Sequence, residues 1–146
     1  MSGVPIELTI EECLDHLCAS EVGRLAFSTP GGVRIVPVNY SVFGGAIVVR
    51  TSSYSELGTY AADSKVAFEV DHLDGEERIG WSVVAFGRLE RMSDPDEIQR
   101  VRLAWDPDPW AEGARNLYLR LTWRELTGRR LSGSLLRRSE KLARVV

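Results

Sequence analysis

Cysteine, histidine and lysine are all scarce in this chain of 146 residues, with two of each. Cys13 and Cys18 stand five positions apart, about 140° around a helix, so they share no face. No cysteine pair has the close spacing of a redox or zinc motif, and both read as reduced, packed thiols. His16 and His72 are too few to build a three-ligand metal site. The P-loop, the dinucleotide-binding glycine fingerprint, the zinc-protease helix motif and the serine-hydrolase elbow are all absent. Glu76-Glu77 falls in a charged loop, which excludes it as a pair of carboxylates flanking a glycosidic bond. No apolar run approaches the roughly 18 residues that cross a bilayer. The start, MSGVPIELTIEE, is acidic and lacks a secretory pattern, so the expected compartment is the cytosol.

What remains is an ordinary globular composition, 44% hydrophobic and 27% charged. That length supports one core and excludes two. Charge is unevenly placed. The first 99 residues hold 16 acids against 7 bases, whereas the last 47 hold 5 against 11, for a net of −3. Two complementary faces of one molecule or of a dimer explain this, as does an anionic partner. The basic tail, with Arg129, Arg130, Arg137, Arg138, Lys141 and Arg144, has no interleaved aromatics, so nucleic acid is not an expected partner. Leu135, Leu136, Leu142 and Val145 give the same tail an apolar side that can dock on a second subunit.

Thr9-Ile10-Glu11-Glu12 is a capping box that opens a helix running to about Ser20. The period then changes. Strands are predicted at Gly23–Ser28, Val33–Phe43, Ala46–Thr51, Lys65–Asp71, Gly80–Met92 and Arg115–Arg124. Pro30-Gly31-Gly32 is a turn and Gly44-Gly45 a two-residue hairpin loop. A short helix covers Ser55–Asp63, and Ser93-Asp94-Pro95 starts another that ends near Ala104. Trp105–Gly113 reads as a loop and Ser132–Arg144 as a short helix or loose tail. This order predicts a mainly β fold, a six-stranded antiparallel barrel with short flanking helices. Residues 1–131 form the barrel domain and 132–146 the basic tail. Val83, Val84, Ala85 and Phe86 make both faces of one strand apolar, which predicts cover by a helix or a second subunit; a homodimer is the simpler form.

Two segments carry candidate chemistry. In Arg34-Ile35-Val36-Pro37-Val38-Asn39-Tyr40, the proline needs an edge or a bulge. The segment is either an ordinary edge strand or one whose free backbone groups meet a planar ligand. Arg50-Thr51-Ser52-Ser53-Tyr54-Ser55 joins a strand to a helix. Its guanidinium, hydroxyls and amides suit a phosphate, and equally suit turns and caps.

The order and spacing of Val22-Gly23-Arg24-Leu25-Ala26-Phe27, Pro37-Val38-Asn39-Tyr40, Arg50-Thr51, Val66-Ala67-Phe68-Glu69-Val70-Asp71, Gly80-Trp81-Ser82-Val83-Val84 and Gly128-Arg129-Arg130 resembles the pyridoxamine 5′-phosphate oxidase-like family over residues 7–131. The resemblance implies a split β-barrel homodimer with FMN, or alternatively the deazaflavin F420, in a groove between subunits. It implies that Val36, Pro37, Val38, Asn39 and Tyr40 line the ring. Arg50, Thr51, Ser52 and Ser55 would hold the phosphate, with Trp81 and Ser82 near the ring on the neighbouring strand. Hydride transfer would be the cofactor's chemistry, with no catalytic side chain required and an unidentified small molecule as substrate. Glu56 departs from the basic residue that FMN-binding relatives carry there. A carboxylate about 4 Å from a phosphate costs about 1–4 kcal/mol. The alternative is a non-enzymatic module of the same fold that carries flavin, F420 or haem. Trp123-Arg124 and Arg129-Arg130 echo only loosely the block that binds substrate phosphate in true pyridoxamine phosphate oxidases, so vitamin B6 oxidation is not assigned.

Overall fold

The computed structural model describes residues 5–107 and 113–131. The expected tail at 132–146 and the middle of the 105–113 loop lie outside them. Seven strands alternate with three short helical pieces. They are β1 (Pro5–Glu7), α1 (Ile10–Ala19), β2 (Val22–Thr29), β3 (Gly32–Phe43), β4 (Ala46–Thr51), a π-helical turn (Leu57–Ala61), β5 (Ser64–Asp74), β6 (Ile79–Arg91), α2 (Pro95–Trp105) and β7 (Leu117–Leu131).

Local chemistry sets most of these boundaries. Thr9 and Glu12 form the reciprocal capping box, each side chain bonding the other's backbone amide at 3.1 Å. Asp94 caps α2 by accepting from the Asp96 amide, and Pro95 occupies the first helical turn. Gly44 and Gly45 both take positive φ, 59° and 74°, as a two-residue hairpin requires.

All pairings are antiparallel and the sheet runs β1-β7-β4-β3-β2-β5-β6, with β6 returning to β7. Six strands thus close a ring, as expected, and β1 adds a short edge outside it. The β6–β7 ladder continues to Gly80↔Leu131 through a bulge at Phe86/Gly87. The last strand therefore ends seven residues beyond the expected Arg124.

The barrel is filled by alternating side chains, among them Leu25, Phe27, Phe68, Val70, Val83, Ala85, Leu119 and Leu121. α1 adds Cys13 and Leu17 at one end. β4 is apolar on both faces because Val48 joins Tyr118, Met92 and Val101 in a second cluster beneath α2. β6 differs. Val83 and Ala85 are buried inside, whereas Phe86 remains 42% exposed on the outer face.

Candidate functional site

β3 is longer than its partner β4. Of β3, β4 pairs only with Tyr40–Phe43, so residues 32–38 bond to β2 on one side and face no strand on the other among the described residues. The Tyr40 amide donates to the Glu21 carbonyl on the β2 side. Strand alternation then turns the amide positions of 37 and 39 towards the open side. Pro37, which has no amide hydrogen, occupies an open-edge position, as the proline requires.

Facing this edge is a cleft of about 210 Å³. Val36, Pro37, Val38 and Asn39 form one wall, and Arg50, Thr51, Ser55 and Arg115 the other. Two segments that look separate in the sequence thus meet across one opening.

The second wall is internally bonded. Ser55 Oγ donates to the Ser52 carbonyl at 2.7 Å and accepts from the Gly58 amide at 2.9 Å, tying this wall to the π-helical turn. Thr51 and Ser55 share a hydroxyl hydrogen bond of 2.8 Å. Arg50 spreads its donors over this chain. Nε and Nη2 reach the Arg115 carbonyl at 3.3 and 3.1 Å, and Nη1 reaches Asp106 Oδ2 at 3.1 Å and the Pro107 carbonyl at 3.4 Å.

Other predicted residues stand elsewhere. Tyr40 does not line the cleft: its ring is buried edge-on to Phe68 and its hydroxyl donates to the Leu17 carbonyl at 2.6 Å. Burial pushes that phenol well above the usual tyrosine range. Ser52 lies behind the wall, its hydroxyl accepting from the Tyr54 amide. Glu56 is an exposed residue 3.8 Å from Arg34, so a counter-charge already faces it. Trp81 and Ser82 are not on a strand next to Val36–Asn39, because β2 and β5 lie between β3 and β6. Trp81 instead stacks on His16, with ring centroids 3.8 Å apart. Arg115 is the cleft residue that the sequence reading missed. Its place beside Thr51 depends on the β4–β7 pairing, which nothing local encodes.

A larger hollow of about 760 Å³ lies on the outer face around Phe86, bordered by Lys65, Arg88 and Arg124. On this face Ile35, Ala26, Ala67 and Phe86 stand directly opposite one another across four strands. Next to that row, Arg24 Nη1 lies 3.5 Å from Glu69 and 3.4 Å from Asp71. Burial, reinforced by Asp71, raises the Glu69 carboxyl to about 7 against the pull of Arg24.

The sequence model described as pyridoxamine 5′-phosphate oxidase matches residues 9–130. The chain belongs to the pyridoxamine 5′-phosphate oxidase family. An uncharacterised protein of Mycobacterium tuberculosis is 30% identical over 131 residues, covering 86% of this chain and 85% of the relative. Among solved structures, a candidate pyridoxamine 5′-phosphate oxidase from Corynebacterium glutamicum superposes with a TM-score of 0.76 at 28% identity, covering 88% of this chain and 99% of that one. An FAD-binding protein from Mycobacterium smegmatis gives 0.72 at 26% identity, covering 86% and 98%. The ring of antiparallel strands is thus the family's split barrel. No helix among the described residues is long and apolar enough to cross a membrane.

Proposed function

We propose that two copies of this chain form a flavin-binding oxidoreductase acting on a small molecule, with the cofactor at the open edge of β3. The observation that carries this reading is the pairing of that edge with a cationic wall in a family member. Peptide groups at residues 33–37 that face no strand suit the hydrogen-bonding rim of an isoalloxazine ring. The cleft's 210 Å³ falls below the roughly 300–1,000 Å³ of a complete small-molecule pocket, so it reads as half of a site. A second copy on the adjoining apolar face supplies the other half. FMN is the cofactor we favour and F420 the alternative; the FAD-binding relative supports a flavin.

When bound, the ring supplies hydride transfer. The chain's part is to hold and shield it. Val36, Pro37 and Val38 present backbone and apolar surface, and the arginine-bearing wall faces the charged end.

The test is the absorbance spectrum of protein from its native host, then titration with FMN, FAD and F420. A bound, quenched flavin that NADPH or reduced F420 bleaches supports the proposal. No binding of any of the three at about 100 μM, which saturates micromolar sites, overturns it. The second reading is a non-enzymatic carrier or regulatory dimer on the same cleft. The internal use of Arg50 favours it. A bound cofactor that neither donor reduces would decide for that reading.

A further inference from the structure

Away from the cleft, the ends of β1, β5, β6 and β7 enclose two adjoining hollows of about 290 and 590 Å³. They share Asp74, Ile79, Gly80, Trp81, Arg130 and Leu131. β2 and β5 stand between β3 and β6, and no residue lines both these hollows and the cleft. The larger hollow falls within the roughly 300–1,000 Å³ of small-molecule pockets. Its floor and rim differ in chemistry. Leu73, Ile79 and Leu131 remain 70%, 44% and 37% exposed around it, apolar surface that calls for an apolar partner. Trp81, stacked on His16, is held as a fixed wall. Beside these stand Arg78, Arg129 and Arg130 against the single acid Asp74, in a chain whose net charge is −3. Among the described residues, none of the three arginines makes an ion pair. The nearby acids have other engagements or stand apart. Asp74 Oδ1 accepts from the Glu76 and Glu77 amides at 3.0 Å each. Glu12 attracts Arg130 but holds the Thr9 amide at 3.1 Å. Glu7 lies opposite Arg129 across the β1–β7 ladder without an ion pair to it. Successive strand residues face opposite sides, so Arg130 lines both hollows and Arg129 only the smaller.

We propose that these hollows form a second ligand site, which takes a small amphipathic carboxylate. The apolar body lies against Leu73, Ile79 and Trp81, and Arg129 and Arg130 hold the anion. A guanidinium fork matches the geometry of a carboxylate. A cationic partner does not suit this rim. Residues 132–146, with four basic side chains against one acidic, carry the rim's own sign. The assignment requires neither a flavin nor a second subunit.

The test titrates the full-length protein by calorimetry with 2-naphthoate and with 2-naphthamide, which keeps the rings and lacks the charge. Wild type should bind the naphthoate about tenfold or more tighter, the worth of one hydrogen bond to a charged group. Arg129→Gln and Arg130→Gln should each remove most of that preference and leave the amide within about twofold. Leu73→Ser, at a side chain already in water, should weaken both probes alike. Arg124→Gln, beside the separate hollow at Phe86, should change neither. Saturating FMN should leave naphthoate binding unchanged. Displacement by FMN would give these hollows to the flavin and overturn the proposal. No binding of the naphthoate up to about 1 mM overturns it too, as does a preference for the charged probe that survives both arginine substitutions. If the protein binds the naphthoate at these residues and no flavin anywhere, the flavin reading falls and this site stands.

Discussion

Tyr40 ends a segment whose preceding four residues line the cleft, yet its own side chain belongs to the core. Strand alternation does part of this, sending the ring inward towards Phe68, and the hydroxyl then closes onto the Leu17 carbonyl of α1. Tyr40→Phe leaves that carbonyl without its donor inside the barrel. We expect a loss of about 1–2 kcal/mol in urea denaturation, with no change in ligand affinity. Glu69 is the other residue whose setting outweighs its type. One of its oxygens is buried without a hydrogen-bond partner, and its pKa of about 7 stands above the ordinary 4.5. Folding therefore takes up a proton between those values, so the stability contributed by protonated Glu69 is full below the window and is lost as pH rises through about 7. The denaturation midpoint of wild type should fall between about pH 5 and 8 by more than that of Glu69→Gln. Equal slopes would show that Glu69 is not the titrating group. Neither residue's role was legible beforehand, since Tyr40 depends on Leu17, 23 positions away, and Glu69 on its burial in the folded sheet as well as on Asp71. Proline at 37 was legible, because its missing amide hydrogen limits where a strand can carry it.

Elements with their own punctuation were read correctly: the capping box of α1, the Gly44-Gly45 hairpin, the Pro95 start of α2. β1 was missed because three exposed residues carry no period. The end of β7 was missed because the bulge at Phe86/Gly87 shifts its register against β6 and its exposed face turns polar at Glu125, Thr127 and Arg129. The segment Ser55–Asp63 was expected to be a short helix and holds a π-helical turn at Leu57–Ala61. Such turns concentrate at functional sites, and this one sits behind the cleft wall. Gly58 is the tight point, since a Cβ there would collide with the Ser52 carbonyl. Arg91 also donates to the Gly58 carbonyl, at 3.3 Å, tying the turn to β6. Gly58→Ala should cost about 1–3 kcal/mol and loosen the Thr51–Ser55 wall together with the turn. Thermal unfolding combined with FMN titration checks this. An unaffected midpoint would mean that the turn and the wall move independently.

At the scale of the molecule, the proposed dimer gives the apolar outer face the task of completing the cleft. Ile35 is 69% and Phe86 42% exposed, and the row joining them through Ala26 and Ala67 is continuous with Pro37 at the cleft. An exposed row of this kind calls for cover. Both-face apolarity of Val83–Phe86 was readable in the sequence; that β6's outer face lines up with the open edge of β3 was not, because it follows from strand order. A twofold dimer through this face meets every substitution twice, once from each subunit. Ile35→Glu puts a carboxylate into this apolar row, so covering the face would have to desolvate a charge. The dimer dissociation constant should rise at least about a hundredfold, several kcal/mol across two copies. Monomer stability should hardly change, because the side chain is already exposed. Leu103→Glu is the control: it is 79% exposed on α2, away from this face. Sedimentation velocity over a concentration series reads both constants. If flavin affinity falls with the dimer in Ile35→Glu and persists in Leu103→Glu, the second subunit completes the cleft. A monomeric wild type, or equal constants for the two variants, removes the face from the interface and leaves the open edge of β3 to bind its ligand alone.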